Sequence, residues 1–265
     1  MLQIKNVHKT FNPGTINEKK ALNGIDLELN EGDFVTVIGG NGAGKSTMLN
    51  MIAGVYPVDC GSIVIDGIDV TKLPEHKRAK YIGRVFQDPM NGTAANMQII
   101  ENLALASRRG KRRGLSAGVK HKEKEHYQEL LKSLDLGLED RLTSKVGLLS
   151  GGQRQAITLL MATMCKPKLL LLDEHTAALD PKTAKKVLDL TEKIVAENNL
   201  TTIMITHNMK DAIAIGNRLI MMNDGKIIYD VEGDEKKALT TADLLAKFKL
   251  TSGEELDDDK ILLSE

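Results

Sequence analysis

The segment Gly39-Gly40-Asn41-Gly42-Ala43-Gly44-Lys45-Ser46-Thr47 constrains this 265-residue chain more than any other feature. It fits G-x-x-x-x-G-K-[ST], follows the apolar run 34–38, and opens a helical pattern that stops before Gly54. Four glycines between positions 39 and 44 let the backbone curl with no side chain between it and a ligand. The N–H groups of such a curl and the helix N-terminus behind it converge on one spot, which suits a polyphosphate. Lys45 would reach the β- and γ-phosphates, and the Ser46 hydroxyl is suited to Mg²⁺. Nucleotide binding is the expectation from this segment alone.

The rest of the chain supplies the sheet that such a loop needs. Residues 2–7 and 25–29 alternate apolar and polar as half-buried strands do, with a turn at Asn12-Pro13-Gly14 between them. Residues 62–65 and 68–70 read as a hairpin on Asp66-Gly67, followed by a helix after Pro74 and a strand over 81–86. From Asp88 to about 148 strand patterns vanish and charged, helix-favouring residues dominate, which reads as a helical insertion. Beyond Ser150 a helix over 151–164, a strand over 169–172, a helix over 182–198, a strand over 201–206 and a helix over 209–215 alternate. A hairpin over 218–222 and 226–229 turns on Asn223-Asp224-Gly225, and one amphipathic helix near 241–248 precedes the acidic stretch 254–259. This alternation implies an α/β fold with a mostly parallel sheet flanked by helices.

Composition excludes several classes of function. Lys and Arg number 36 and so do Asp and Glu, and this balance argues against a nucleic-acid binder. No apolar run reaches the length of a membrane span; the longest are 156–165 and 169–172. Trp is absent and aromatic residues make up 3%, so aliphatic residues and Met must fill the core. Cys60 and Cys165 stand far apart in no metal-binding pattern and read as small hydrophobes of a reduced, cytosolic protein. The N-terminus lacks the apolar core of a signal peptide.

Other chemistry-bearing residues fall at strand ends. Asp173 and Glu174 follow the run 169–172, at the sheet edge where open α/β folds bind ligands. Beside a phosphate loop, Asp173 suits Mg²⁺ and Glu174 suits polarisation of an attacking water. His207 leaves the strand 201–206 at the same edge, where it suits contact with a γ-phosphate; alone, a loop histidine is structural or solvated. Gln87 ends the strand 81–86 at the border of the insertion, placed to touch Mg²⁺ or water. Leu149-Ser150-Gly151-Gly152-Gln153 precedes a helix, with Ser150 as an N-cap and a bare N-terminus; local chemistry alone does not separate plain capping from contact with a second anion.

Taken together, these motifs resemble the ATP-binding-cassette ATPases. The resemblance spans about residues 2–231, in the family's order: GGNGAGKST at 39–47, VFQDP at 85–89, LSGGQRQ at 149–155, LLLLDE at 169–174, ALD at 178–180 and ITH at 205–207. It implies a P-loop NTPase fold of that type, with an antiparallel β subdomain and a helical subdomain inserted at about 88–148. A nucleotide-binding domain over 1–231 would be followed by a C-terminal extension over 232–265. By the same resemblance Phe11 stacks on adenine, and Gly39, Gly40, Asn41, Gly42, Ala43, Gly44, Lys45, Ser46 and Thr47 hold the phosphates. Ser46, Gln87 and Asp173 hold Mg²⁺, and Gln87 links it to the insertion. Glu174 is the general base and His207 the γ-phosphate switch. Ser150, Gly151 and Gly152 contact the γ-phosphate bound by the other protomer of a head-to-tail homodimer, with Asp180 in the loop crossing that interface. The cofactors implied are ATP and Mg²⁺. The partners implied are an integral-membrane permease meeting the insertion and, through it, a solute-binding lipoprotein, with the chain peripheral at the inner face of the cell membrane.

The family's usual DEPT is here Asp173-Glu174-His175-Thr176, and His175 reads as a tolerated loop residue. DEHTAALDP also resembles bacterial importer ATPases, some of them associated with aromatic amino acids. An exporter ATPase and a single-cassette ATPase of the iron–sulfur assembly type share the same site residues. The incomplete match of 143–147 to the exporter pattern, and the lack of a second cassette or a coiled coil, favour import. The basic cluster Arg108-Arg109-Gly110-Lys111-Arg112-Arg113 reads as a solvated face, with contact to anionic headgroups as the alternative.

Overall fold

A computed structural model describes residues 1–111, 118, 119 and 121–252. Its elements run β1 (Leu2–Phe11), β2 (Lys19–Leu29), β3 (Phe34–Gly39), α1 (Lys45–Ala53), β4 (Cys60–Ile65), β5 (Ile68–Asp69), α2 (Glu75–Arg78) and β6 (Ile82–Val85). They continue through α3 (Ile99–Ser107), α4 (His121–Lys132), α5 (Gly151–Thr163), β7 (Leu169–Asp173), α6 (Pro181–Asn198), β8 (Thr201–Ile205) and α7 (Met209–Ala214). The last are β9 (Arg218–Asn223), β10 (Lys226–Glu232), α8 (Gly233–Lys237) and α9 (Thr241–Ser252).

Two sheets organise these elements among the described residues. The larger has the order β10-β9-β3-β8-β7-β6, with β3, β8, β7, β6 and β9 parallel and β10 antiparallel at one edge. Strands covered on both faces bury consecutive positions, and in β3, β7 and β8 residues 34–38, 169–172 and 201–205 are all buried, apolar except for Thr36, Thr201 and Thr202. The smaller sheet is antiparallel, in the order β2-β1-β4-β5, and its strands bury alternate residues. It covers one face of the large sheet with α1 between, as Ile4, Leu27 and Leu29 join Val37, Leu49 and Ile205 in one core. On the opposite face Leu170 and Met204 pack against Leu159 of α5 and Leu188 of α6.

Every parallel strand that carries a candidate residue ends at the same edge. Register pairs β3 with β8, β8 with β7 and β7 with β6, so Gly39, His207, Asp173 and Gln87 leave the sheet on one side. The helical segment forms a separate core, where Leu103 of α3 and Leu131 of α4 pack on Ile157 and Leu160 of α5. At the C-terminus Leu244 and Phe248 of α9 pack against Met209 and Ala212 of α7.

Several local expectations need correction. Strands β1 and β2 reach to Phe11 and back to Lys19, well past the runs 2–7 and 25–29, because charged positions on their exposed side and register shifts hide the alternation. The helix after Pro74 is a single turn, closed where Arg78 turns inward. Its guanidinium donates to Met51 O and Ile52 O at 2.7 and 2.9 Å, capping the last carbonyls of α1. Between 88 and 148 only α3 and α4 are α-helical among the described residues. The loop before α3 is held by Asn102, which accepts from Ala94 N–H (2.8 Å) and donates to Ala94 O and Gln98 O. Cys60 is exposed and Cys165 half-buried, so neither thiol fills the core. Six of the eleven methionines are core residues, whereas Met90 is 40% exposed. The basic cluster is not simply a solvated face: Arg108 pairs with Glu123 at 3.1 Å and half-buried Arg109 donates to Ala162 O at 2.9 Å. Arg112, Arg113 and the acidic stretch 254–259 lie outside the described residues. No helix among the described residues is long and apolar enough to cross a membrane.

Candidate functional site

The glycine loop leaves the centre of the large sheet and reverses into α1. Gly39 touches the backbone of the neighbouring strand so closely that a Cβ there would meet Met222 O at 2.2 Å. Gly44, at φ 101°, is the N-cap of α1 and packs on Ala21 O; no side chain caps this helix, so its first N–H groups face the loop. The Lys45 ammonium, nearly buried, donates to Gly39 O at 2.7 Å and Gly40 O at 3.0 Å and is thereby parked across its own loop. Burial pushes its pKa down, opposed by the charges of Glu174 and Asp173.

Asp173 ends β7 and faces the start of α1: Ser46 Oγ donates to its Oδ1 at 3.3 Å. Burial and the Glu174 charge push the Asp173 carboxyl up, against Arg84, the Ser46 hydrogen bond and Lys45. A hydroxyl and a carboxylate side by side are hard oxygen donors of the kind Mg²⁺ takes from protein, the phosphates and water completing its shell. Among the described residues no cluster of three or more His, Cys, Asp or Glu could hold a metal by itself.

Glu174 has left-handed backbone (φ 47°), which turns its side chain away from that of Asp173. Its Oε1 lies 2.5 Å from His207 Nε2, just beyond β8. Burial raises the Glu174 pKa, but the hydrogen bond and charge of His207 and the charge of Lys45 outweigh it and hold the carboxyl below its ordinary value. A carboxylate that is ionised at neutral pH can take a proton from water.

One recess is lined by residues 41–47, Glu174, His207, Phe11, Lys19 and Ala21, and Asp173 stands behind Ser46 without lining it. Phe11 is fixed at its end by Tyr56, ring to ring at 5.2 Å and 83°. Gly39 and Gly40 lie beneath the recess as acceptors for Lys45. Gln87 is exposed past β6 and does not line it. Ser150, Gly151, Gly152 and Asp180 do not line it either, and instead form a second group. Ser150 N-caps α5 in a capping box with Gln153, both bonds at 3.3 Å, and Asp180 N-caps α6 through Thr183 N–H at 3.1 Å. A Cβ on Gly151 would stand 3.1 Å from Leu179, and one on Gly152 only 2.2 Å from Thr183, so the two caps are packed together.

The reading of His175 as a tolerated loop residue is corrected. Its ring is buried because the turn after β7 folds onto α6. Thr191 Oγ1 donates to Val187 O at 2.7 Å and so can only accept from His175 Nε2–H, at 3.1 Å, which places a proton on Nε2. Burial lowers its pKa to about 4. Sequence reasoning also passed over Lys19, Ala21 and Arg84. Arg84 donates to Asn50 at 2.6 Å and acts electrostatically on Asp173, but nothing in the order of residues signals that contact.

A cation on a phosphate loop, a hydroxyl–carboxylate pair and a poised base, all at one sheet edge, are the parts that phosphoryl transfer to water requires. Comparison with known proteins agrees. The ABC transporter family model matches residues 22–177. The chain is 46% identical over 254 residues to a tyrosine transport ATP-binding protein of Clostridioides difficile (strain R20291), covering 94% of this chain and 99% of that one. It is 34% identical to a xylose/arabinose import ATP-binding protein of Sulfolobus acidocaldarius, covering 94% and 95%. Among solved structures, a dimeric ATP-binding cassette in a post-hydrolysis state bound to ADP and Pi matches with a TM-score of 0.75 and 33% identity, covering 88% of this chain and 98% of that one. The chain belongs to the ATP-binding-cassette family and is an ATP-hydrolysing component of its transporters.

Proposed function

We propose that this chain powers a bacterial importer of a small solute of the amino-acid class, coupling ATP binding and hydrolysis to a separate permease. The observation that carries the catalytic part is the recess lined by Lys45, Ser46 and the Glu174–His207 pair, with Asp173 tied to it through the Ser46 hydrogen bond. ATP lies with its base on Phe11 and its phosphates along residues 39–47. Lys45 leaves the carbonyls of Gly39 and Gly40 for the β- and γ-phosphates. Ser46 and Asp173 would hold Mg²⁺, and Gln87, which lies outside the recess, would reach it only by moving with the border of the helical segment. Mg²⁺, when bound, supplies charge neutralisation at the phosphate oxygens. Glu174 takes the proton of the attacking water once His207 turns from it to the γ-phosphate.

Ser150, Gly151, Gly152 and Asp180 then act on the recess of a second copy. The pairing is head to tail, and it is supported by the separation of these residues from their own chain's recess. In this reading residues 1–231 form the nucleotide-binding domain, 88–148 face the permease, and 232–265 are an extension. A solute-binding lipoprotein delivers the cargo outside, and the chain sits at the inner face of the membrane. The name of the tyrosine transport relative, matched over nearly its whole length, favours an aromatic amino acid as cargo over the sugar of the archaeal relative. The names of both relatives favour transport over iron–sulfur assembly.

The test is uptake by vesicles holding the chain with its permease and binding protein. ATP-dependent accumulation of labelled tyrosine, arrested by Glu174→Gln, is expected. Accumulation of xylose instead, or uptake that ignores Glu174→Gln, would overturn the reading.

A further inference from the structure

Lys19 stands in the recess with no role in the mechanism above. In the register of the small sheet it is the direct cross-strand partner of Phe11, so the two side chains share a face. Two residues along β2, Ala21 sits at a register shift and packs its carbonyl against Gly44, which lays β2 along the phosphate loop. The Lys19 ammonium therefore hangs over the loop at its barest point: a Cβ added at Gly42 would meet Nζ at 3.4 Å. No carboxylate among the described residues forms a salt bridge with it. The adjacent Glu18 is engaged elsewhere, accepting from Gly14 N–H at 2.8 Å. Lys20, paired with Thr10, projects from the opposite face.

A nucleotide that stacks on Phe11 and lays its terminal phosphates on Lys45 must pass its α-phosphate beneath this ammonium. Lys45 is already committed to the inner end of the loop, so among the described residues that line the recess no other lysine or arginine serves the outer end. We propose that Lys19 is a second phosphate-binding cation, holding the α-phosphate between the base platform and the glycine loop. The proposal rests on the nucleotide-binding reading of the recess. Unlike a ring contact, a salt link of this kind recognises phosphate and not base.

Equilibrium competition by ATP, ADP, AMP and adenosine against a fluorescent ADP analogue separates the contributions, using the full chain and Lys19→Met, Lys19→Arg and Lys20→Met. Lys19→Met should weaken ATP, ADP and AMP by roughly fivefold, as expected for one partly solvated charge contact, and leave adenosine within error. Lys19→Arg should restore most of the loss, and Lys20→Met should bind like the wild type. The dependence of ATP binding on salt should also become shallower in Lys19→Met. Equal weakening of adenosine and ATP would make Lys19 a mere support for Phe11, and unchanged phosphate binding would remove it from the site; either result overturns the proposal. Failure of the wild type to bind ATP would sink the nucleotide reading itself, and Lys19 with it.

Discussion

The recess around the glycine loop and the paired caps at Ser150 and Asp180 are built on opposite principles. The recess gathers groups whose charges are not settled within the chain. An ammonium is parked on backbone carbonyls, one carboxyl is pushed up and its neighbour pulled down, and a histidine is held by the base it must release. The caps are closed on themselves: each side-chain oxygen accepts from its own helix, and the glycines bring the two helix starts together. One region is incomplete without a ligand. The other is rigid and finished, offering helix N-terminal N–H groups to an anion that its own chain does not bring near. A site split this way works when two copies face each other, so that each rigid half meets the other's unsettled half.

The largest break comes from the unsettled half. Lys45→Ala should lower kcat/KM for ATP by about 10³-fold, read as phosphate release, with loss of nucleotide binding. Glu174→Gln should lower kcat by about 10²–10⁴-fold while ATP still binds, because it removes a proton acceptor and leaves the cradle intact. In the rigid half, Ser150→Arg should leave ATP binding by each chain close to wild type, measured by titration, yet cut turnover by about 10²-fold through loss of pairing. If Ser150→Arg weakens nucleotide binding as much as Lys45→Ala does, the two regions are one site and the comparison fails.

How much of this was legible follows from where the information sits. The strands β3 and β7 are buried along 34–38 and 169–172 because both faces are covered, and only Thr36 interrupts their apolar runs, so these runs stand out and the motifs at their ends follow. The strands β1 and β2 stand out only over 2–7 and 25–29, since His8 and Lys20 interrupt the pattern beyond those runs and register shifts break it. Lys19 escaped notice for the same reason: its place beside Phe11 depends on cross-strand register, which residue order does not display. His175 lies in a loop as its place in the sequence implies, but its burial is not legible there, because it depends on the packing of α6, 16 residues further on at Thr191.

Smaller effects test the link between the halves. The folded protein keeps His175 neutral, its pKa lowered from 6.5 to about 4 by complete burial. Below pH 6.5 the unfolded chain takes up a proton that the folded chain refuses. Stability is therefore fully present above that pH and falls as pH drops towards 4, by about 3 kcal/mol in all. Urea unfolding of wild type and His175→Gln between pH 7 and 4.5 should show a steeper loss in the wild type; parallel curves would contradict the buried neutral ring. The smallest effects belong to the caps. Ser150→Ala should cost about 1 kcal/mol in the same assay and Asp180→Ala should lower stability in the same direction; a loss of several kcal/mol in Ser150→Ala would mean that side chain holds more than its helix start.

The pairing of unlike halves is tested most directly by the mass of Glu174→Gln with and without ATP, measured by sedimentation together with bound nucleotide. Arrested hydrolysis should trap a complex of two chains and two ATP molecules that returns to single chains when ATP is removed. A single chain at saturating ATP, or a pair that forms equally well without it, would contradict the account.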